Sequence, residues 1–157
     1  MKLFLVQHGE AKPASEDPER SLTERGAETV RRMAAWGAQA GVRVARIRHS
    51  GKRRAEQTAE LLAEPLRPAK GVIAVEGLKP KDDVHAMAAT LAAETEPVML
   101  VGHLPFLARL AGALVTGEAD AVVVRFRNAG IVCLHREESR WSVDWAVPPE
   151  IVTGHEA

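Results

Sequence analysis

Apolar positions along the chain form short runs that alternate with longer stretches of helical spacing. The first run, Leu3–Val6, is apolar on both sides, which is typical of a strand buried on two faces of a parallel sheet. Further strands are predicted at 42–49, 72–75 and 98–101, and helices at 24–40, 52–66, 84–92 and 104–114. Because strand and helix alternate through most of the chain, we predict the α/β class with a largely parallel sheet.

The last third of the chain has a different pattern. Three apolar segments, 122–124, 131–134 and 141–145, are predicted as strands, with at least one hairpin around Asn128-Ala129-Gly130. No repeat, low-complexity tract or linker interrupts the sequence, and 157 residues suit one domain with a proper core. We therefore predict a single domain over residues 1–157.

Two helix starts carry capping signals. Thr23 is the predicted N-cap of the first helix, with Leu22 placed for a hydrophobic staple, while Ser21 and Glu24 offer a competing capping box. Ser50 is the predicted N-cap of the second helix.

With Ser50 as the cap, the first turn of the second helix is basic, since it contains Lys52, Arg53 and Arg54. Cations at this end oppose the helix dipole unless an anion compensates. This unfavourable placement of positive charges at a helix N-terminus indicates a binding site for an anion.

Composition narrows the classes of partner. Lys plus Arg number 21 and Asp plus Glu number 21, so the net charge is zero, which argues against a protein that grips a polyanion. We interpret the basic run at 43–54 as the polar face of a strand followed by a turn, and we expect no nucleic-acid partner. The single cysteine, Cys133, fits a reducing compartment. The first run is too short for a membrane span and no signal-peptide pattern follows it, so we expect a cytoplasmic protein without membrane contact.

A metal site is not expected from the histidines outside the strand ends. His49, His85, His135 and His155 lack metal-ligand spacing, and neither an HExxH motif nor paired cysteines occur.

Three strand-to-helix turns carry the candidate chemistry: Gln7-His8-Gly9, residues 50–54 and Gly102-His103. In a parallel sheet all three would lie at the same carboxyl edge, where ligands bind. Two imidazoles, a guanidinium and backbone N–H groups at that edge suit a tetrahedral oxyanion. A neutral imidazole can attack phosphorus, so we predict that His8 is a nucleophile that takes up a phosphoryl group.

These turns lie within three of four longer motifs, which are Val6-Gln-His-Gly-Glu-Ala11, Ser21-Leu-Thr-Glu-Arg-Gly26, Ser50-Gly-Lys-Arg-Arg-Ala-Glu-Gln-Thr58 and Val101-Gly-His-Leu-Pro105. With these four motifs in this order, the whole chain resembles the histidine phosphatase superfamily, specifically its small SixA-like phosphohistidine phosphatases. The resemblance implies a three-layer α/β/α sandwich with a mostly parallel sheet, and a phosphatase without metal or cofactor. It implies that His8 accepts the phosphoryl group and that Arg54 and His103 hold it, with Gln7 and Gly9 also at the phosphate.

One position departs from the family pattern. The superfamily usually has Arg directly before the nucleophile, and here that residue is Gln7. Glutamine keeps amide donors but lacks the charge and rigid fork of arginine. The loss could cost on the order of tenfold to a hundredfold in rate, since a hydrogen bond to a charged group is worth roughly 1.5–3 kcal/mol. A weakly active or inactive phosphate-binding module is therefore one alternative.

The substrate depends on whether a leaving-group acid is present. Alkyl esters need such an acid, whereas imidazole is a much better leaving group than an alkoxide. The candidates are Glu10, Glu76, Asp82 and Asp83, and none carries a clear signal. We therefore expect phosphohistidine on a protein as substrate, with a small phosphorylated metabolite as the alternative, and we expect a monomer.

Four residues near the site are left with open or structural roles. Arg20 is expected at the surface, and Ser50 is expected to cap rather than bind. Lys52 and Arg53 are candidates for restoring the charge that Gln7 lacks.

Overall fold

The structure of the protein, a computed structural model, describes residues 1–154. Six strands and five helices form within this range. The strands are β1 (Lys2–Gln7), β2 (Arg46–His49), β3 (Val72–Ala74), β4 (Val98–Gly102), β5 (Ile131–Glu137) and β6 (Arg140–Val147). The helices are α1 (Glu24–Gln39), α2 (Arg53–Leu66), α3 (Val84–Ala92), α4 (Phe106–Thr116) and α5 (Pro149–Thr153).

All six strands belong to one mixed sheet in the order β3-β2-β4-β1-β5-β6. The four strands β3, β2, β4 and β1 pair in parallel, and β5 and β6 add an antiparallel edge. This arrangement confirms the predicted α/β class and the mostly parallel sheet.

Side chains of β1 alternate between two separate apolar clusters, one on each face of the sheet. Phe4 and Val6 pack in the cluster that contains α1 and α2 residues, whereas Leu3 and Leu5 pack in the cluster that contains α3 and α4 residues. Both faces are buried because a parallel sheet is covered by its crossover helices. The predicted three-layer α/β/α arrangement is confirmed.

Helix α1 begins as predicted. The Oγ1 of Thr23 accepts a hydrogen bond from the Gly26 N–H at 2.9 Å, so Thr23 is the N-cap. The alternative prediction, a capping box formed by Ser21 and Glu24, is wrong, because the Ser21 hydroxyl donates to the carboxylate of Asp17 instead.

The predicted cap of the second helix is also wrong. Helix α2 has Lys52 as its N-cap residue, without a side-chain capping bond. Ser50 lies two residues earlier, and its hydroxyl has a different partner, described below.

The C-terminal third differs most from the prediction. Residues 122–124 form no strand: Val123 and Val124 pack on the α4 side of the core from irregular backbone, and Val122 is 83% exposed. The β5–β6 hairpin turns at Glu138 rather than around Asn128, which instead forms a bridge with Gln7. Strand β2 begins at Arg46 rather than at residue 42, and α5 was not predicted.

No helix within residues 1–154 is both long enough and apolar enough to cross a membrane.

Candidate active site

The three predicted turns meet at one edge of the sheet. Gln7 pairs with Gly102, and His49 pairs with Val101, so the residues that follow β1, β2 and β4 are neighbours. The rings of His8 and His103 lie 5.1 Å apart, centroid to centroid, at an interplanar angle of 53°. The sequence-based prediction that these turns converge is therefore confirmed.

His8 is held by three hydrogen bonds. Its backbone N–H donates to the Gly102 carbonyl at 3.1 Å, and its own carbonyl accepts from the Asn128 side-chain amide at 2.9 Å. Its Nδ1 lies 2.7 Å from the Gly9 carbonyl oxygen. Since a carbonyl can only accept, Nδ1 carries the proton, and the neutral ring keeps its lone pair on Nε2.

Both imidazoles are neutral at physiological pH. Burial lowers the pKa of His8 to about 4, aided by the positive charges of Arg54 and Arg20, against the opposing effect of the Gly9 hydrogen bond. Burial likewise lowers the pKa of His103 to about 3, with further contributions from His8, Arg54, Lys52 and Arg20. A neutral His8 is the form that can act as a nucleophile.

Arg54 lies in the first turn of α2, as predicted. Its Nε is buried and forms no hydrogen bond within residues 1–154. Burial, followed by the charge of Arg20, lowers its pKa below the ordinary value. An arginine that has an unused buried donor beside two neutral imidazoles is prepared to bind an anion.

Thr58 joins the nucleophile turn to α2. Its Oγ1 accepts a hydrogen bond from the Gly9 N–H at 3.0 Å and donates to the Arg54 carbonyl at 2.8 Å. The residue is fully buried. The sequence placed Thr58 in a predicted helix and in a family motif, but its role as a bridge depends on a contact between residues 49 positions apart.

Gly9 serves the packing of α1 rather than offering a free donor. A Cβ at this position would lie 2.8 Å from Val30 Cγ2, so only glycine allows the helix this close to the turn. The predicted convergence of free backbone N–H groups is not seen at this turn, because the Gly9 N–H is already bound by Thr58. The N–H groups of Gly51 and Lys52 are also engaged, by His49 Nδ1 and Ser50 Oγ.

Gln7 ends β1 at the centre of the edge, and its backbone carbonyl accepts from the Ala129 N–H at 2.8 Å. Its Oε1 is buried and has no hydrogen-bond partner among the residues that the structure describes. The Oε1 of the side chain that replaces the family arginine is therefore not held by a hydrogen bond within residues 1–154.

Arg20 lies closer to the site than the sequence indicated. Its backbone has a φ of 52°, and its Nε donates to the Lys12 carbonyl at 3.2 Å. Together with Lys52 and Arg54 it lines a groove of about 530 Å³. A left-handed conformation at an arginine leaves no signal in sequence, so this placement could not be found from the pattern.

Arg53 faces a different partner. Its Nη1 forms an ion pair with Glu56 at 2.7 Å on the exposed side of α2. Arg53 lines the same groove as Arg20 and Lys52, but its charge is already paired with Glu56. The charges of Arg20 and Lys52, in contrast, contribute to the lowered pKa of His103.

Comparison with known proteins identifies the family. A family model described as "Histidine phosphatase superfamily (branch 1)" matches residues 3–80. The chain is 30% identical over 155 residues to the phosphohistidine phosphatase SixA of Escherichia coli (strain K12), which covers 95% of this chain and 94% of the relative. The chain belongs to the histidine phosphatase superfamily. As a SixA-like member, it is a phosphatase of the histidine-phosphatase type.

Solved structures agree with this assignment. A structure of the protein histidine phosphatase SixA complexed with tungstate superposes with a TM-score of 0.85 at 29% identity, over 95% of this chain and 97% of the other. A phosphoserine phosphatase from Entamoeba histolytica, in complex with 3-phosphoglyceric acid, superposes with a TM-score of 0.71 at 17% identity, over 94% and 96% of the two chains. The second likeness concerns the fold alone.

The four candidate acids differ in their surroundings. Glu10 accepts from Thr23 Oγ1 at 2.9 Å, Asp82 accepts from the Lys79 N–H, and Asp83 caps α3. Glu76 lines a groove of about 330 Å³ that also includes Ser50 and Lys52. The groups that shift the pKa of His8 are Gly9, Arg54 and Arg20, and they include no carboxylate.

No group of three or more His, Cys, Asp or Glu residues that could hold a metal ion occurs within residues 1–154. His155, one of the histidines considered in the sequence, lies outside the described residues.

Proposed function

We propose that this histidine phosphatase removes the phosphoryl group from phosphohistidine in a protein, through a phosphoryl intermediate on His8 and without a metal. The observation that carries the proposal is the state of His8, whose neutral ring has its proton fixed on Nδ1 by Gly9 and its lone pair on Nε2. The tungstate held by the similar SixA structure supports it, because tungstate is a tetrahedral oxyanion like phosphate.

In the first step the Nε2 lone pair of His8 attacks phosphorus, and a new N–P bond forms as the N–P bond of the substrate breaks. The substrate imidazole leaves and takes a proton from solvent. Arg54 and His103 offer hydrogen-bond donors to the equatorial oxygens, where charge is concentrated in phosphoryl transfer. Gln7 contributes its amide, and Gly9 is assigned a packing role in place of the predicted phosphate contact.

In the second step water attacks the phosphorus of the phosphorylated His8. The N–P bond breaks, inorganic phosphate leaves, and His8 returns to its neutral form. The low pKa of His8 favours this cycle, because a ring that stays unprotonated is ready to attack again.

The surroundings of His8 favour phosphohistidine over an alkyl phosphate. Three of the candidate acids are engaged elsewhere, and the charges that act on His8 are both cationic. An alkoxide needs a proton from such an acid, whereas imidazole is a much better leaving group and can take its proton from solvent. A small phosphorylated metabolite remains the alternative substrate, and a binding module without turnover remains the alternative to an enzyme.

A paired turnover assay tests the proposal. The protein is given a histidine-phosphorylated protein and, separately, an alkyl phosphate, each in the presence of a metal chelator. We expect turnover of the first substrate and at least tenfold lower kcat/KM on the second. Equal or preferential turnover of the alkyl phosphate would contradict the substrate assignment. Binding of inorganic phosphate without turnover of either would favour the binding module.

A further inference from the structure

Ser50 and His103 form the shortest hydrogen bond between side chains of this site. The Ser50 Oγ lies 2.6 Å from the His103 Nε2, and both residues are buried, with 4% and 2% of their surface exposed. The two residues follow neighbouring strands, β2 and β4, which explains how positions 53 apart in sequence come into contact. Capping, the role predicted for Ser50, does not account for this contact.

The direction of this hydrogen bond decides the tautomer of His103. If the Ser50 hydroxyl donates, the His103 Nε2 is the acceptor and the ring proton lies on Nδ1. If His103 Nε2 donates, the Nδ1 carries a lone pair instead. The two arrangements give the ring opposite chemistry toward an anion, because an N–H group attracts it and a lone pair repels it.

The other contacts of Ser50 distinguish the two arrangements. Its Oγ also accepts from the Lys52 N–H at 3.3 Å, and these are its two hydrogen bonds within the described residues. With Lys52 as the donor to Oγ, the hydroxyl proton has one acceptor in reach, the His103 Nε2. The opposite direction would leave a buried hydroxyl proton without an acceptor, which folded proteins avoid.

We propose that Ser50 is a positioning residue, which donates to His103 Nε2 and so fixes His103 as the Nδ1–H tautomer. The Nδ1 of His103 is buried and has no partner among residues 1–154, although it lies in the ring beside His8. As an N–H it is an unused donor for an oxygen of the transferring phosphoryl group. The contact of this donor with the phosphoryl group rests on the proposed function, whereas the tautomer of His103 does not.

The two histidines then have the same tautomer with opposite uses. In His8 the Nδ1–H donates to the Gly9 carbonyl, and Nε2 keeps its lone pair and can act as a nucleophile. In His103 the Nε2 is occupied by the Ser50 hydroxyl, and Nδ1–H is left as a donor. The local partner of each ring therefore assigns one imidazole to attack and the other to binding.

Long-range ¹H–¹⁵N spectra of the uniformly ¹⁵N-labelled, ligand-free protein at neutral pH test the inference, with the His103 signals assigned by their loss in His103→Gln. We expect the Nδ1–H pattern for His103 in the wild type. In Ser50→Ala we expect a shift toward the Nε2–H pattern, with about tenfold weaker binding of inorganic phosphate. Ser142→Ala, at an exposed site on β6, is the matched control and is expected to change neither property.

An Nε2–H pattern for His103 in the wild type would overturn the inference, whether or not Ser50→Ala folds. An unchanged Nδ1–H pattern in folded Ser50→Ala would overturn the role of Ser50. Because the spectra need no turnover, an inactive protein with His103 as the Nδ1–H tautomer would refute the proposed function and leave this inference standing.

Discussion

Replacing Thr58 by valine removes the link between the nucleophile turn and the phosphate-binding helix while keeping the shape of the side chain. The Oγ1 of Thr58 is the acceptor for the Gly9 N–H at 3.0 Å. In Thr58→Val this buried N–H loses its acceptor. The Arg54 carbonyl is less affected, because it also lies in the backbone hydrogen-bond ladder of α2.

The cost follows from that single unsatisfied group. A buried donor left without a partner costs about 1–3 kcal/mol of the free energy of unfolding. For a chain of this length, that loss lowers Tm by roughly 3–9 °C. We also expect kcat on phosphohistidine to fall by about tenfold or more, because a small displacement of the nucleophile His8 strongly lowers the rate of its attack.

Thr58→Ser is the matched control, since it keeps the hydroxyl and removes only a methyl group. It is expected to lose about 1 kcal/mol of stability through packing. Its kcat is expected to stay near that of the wild type. Thermal melts and steady-state kinetics on both variants provide the comparison. If Thr58→Val keeps the melting temperature and kcat of the wild type, the bridge does not support the site and the reasoning is wrong.

Four further predictions concern the nucleophile, its neighbour and the close contact of α1 with the segment that follows β1. Because the pKa of His8 is lowered to about 4 and the neutral ring attacks, kcat/KM measured against pH should stay level from pH 7 to about 5 and fall near pH 4; a fall centred near 6.5 would contradict this. The unfolded chain takes up this proton at higher pH than the folded one, so chemical denaturation should show stability decreasing as pH falls from 6.5 toward 4. Gln7→Arg should raise kcat/KM by about tenfold to a hundredfold, and an unchanged value would show that Gln7 does not limit turnover. In Gly26→Ala the new Cβ would lie 2.2 Å from the Glu10 carbonyl oxygen, so melting should drop by at least several degrees, corresponding to about 1–3 kcal/mol, and an unchanged Tm would contradict the close packing.

The parts of the fold that could be predicted are those in which local pattern and burial agree. Leu3–Val6 and 98–101 are apolar on both faces because both faces are covered, and these runs correspond to β1 and β4. Residues 122–124 are equally apolar, but only Val123 and Val124 pack against the core, and the segment has no strand partner. Strand pairing depends on residues distant in sequence, which hydrophobic pattern alone does not specify.

The site also contains residues that could be placed from sequence and residues that could not. His8, Arg54 and His103 could be placed from sequence because each follows directly after a recognisable strand or opens a recognisable helix. The role of Ser50 could not be assigned from sequence, because its hydroxyl also bonds His103, 53 residues away, and no local pattern specifies that contact. Arg20 was predicted at the surface, and its place in the groove could not be read from sequence because its positive φ of 52° leaves no sequence signal.

The central claim is that His8 carries the phosphoryl group, and intact-mass analysis tests it most directly. The protein is mixed with a histidine-phosphorylated substrate and quenched at alkaline pH, where a phosphoryl group on imidazole survives. We predict one added acid-labile phosphoryl group in the wild type and none in His8→Ala, which should also lose turnover. If His8→Ala turns over the substrate at the wild-type rate, the claim is contradicted.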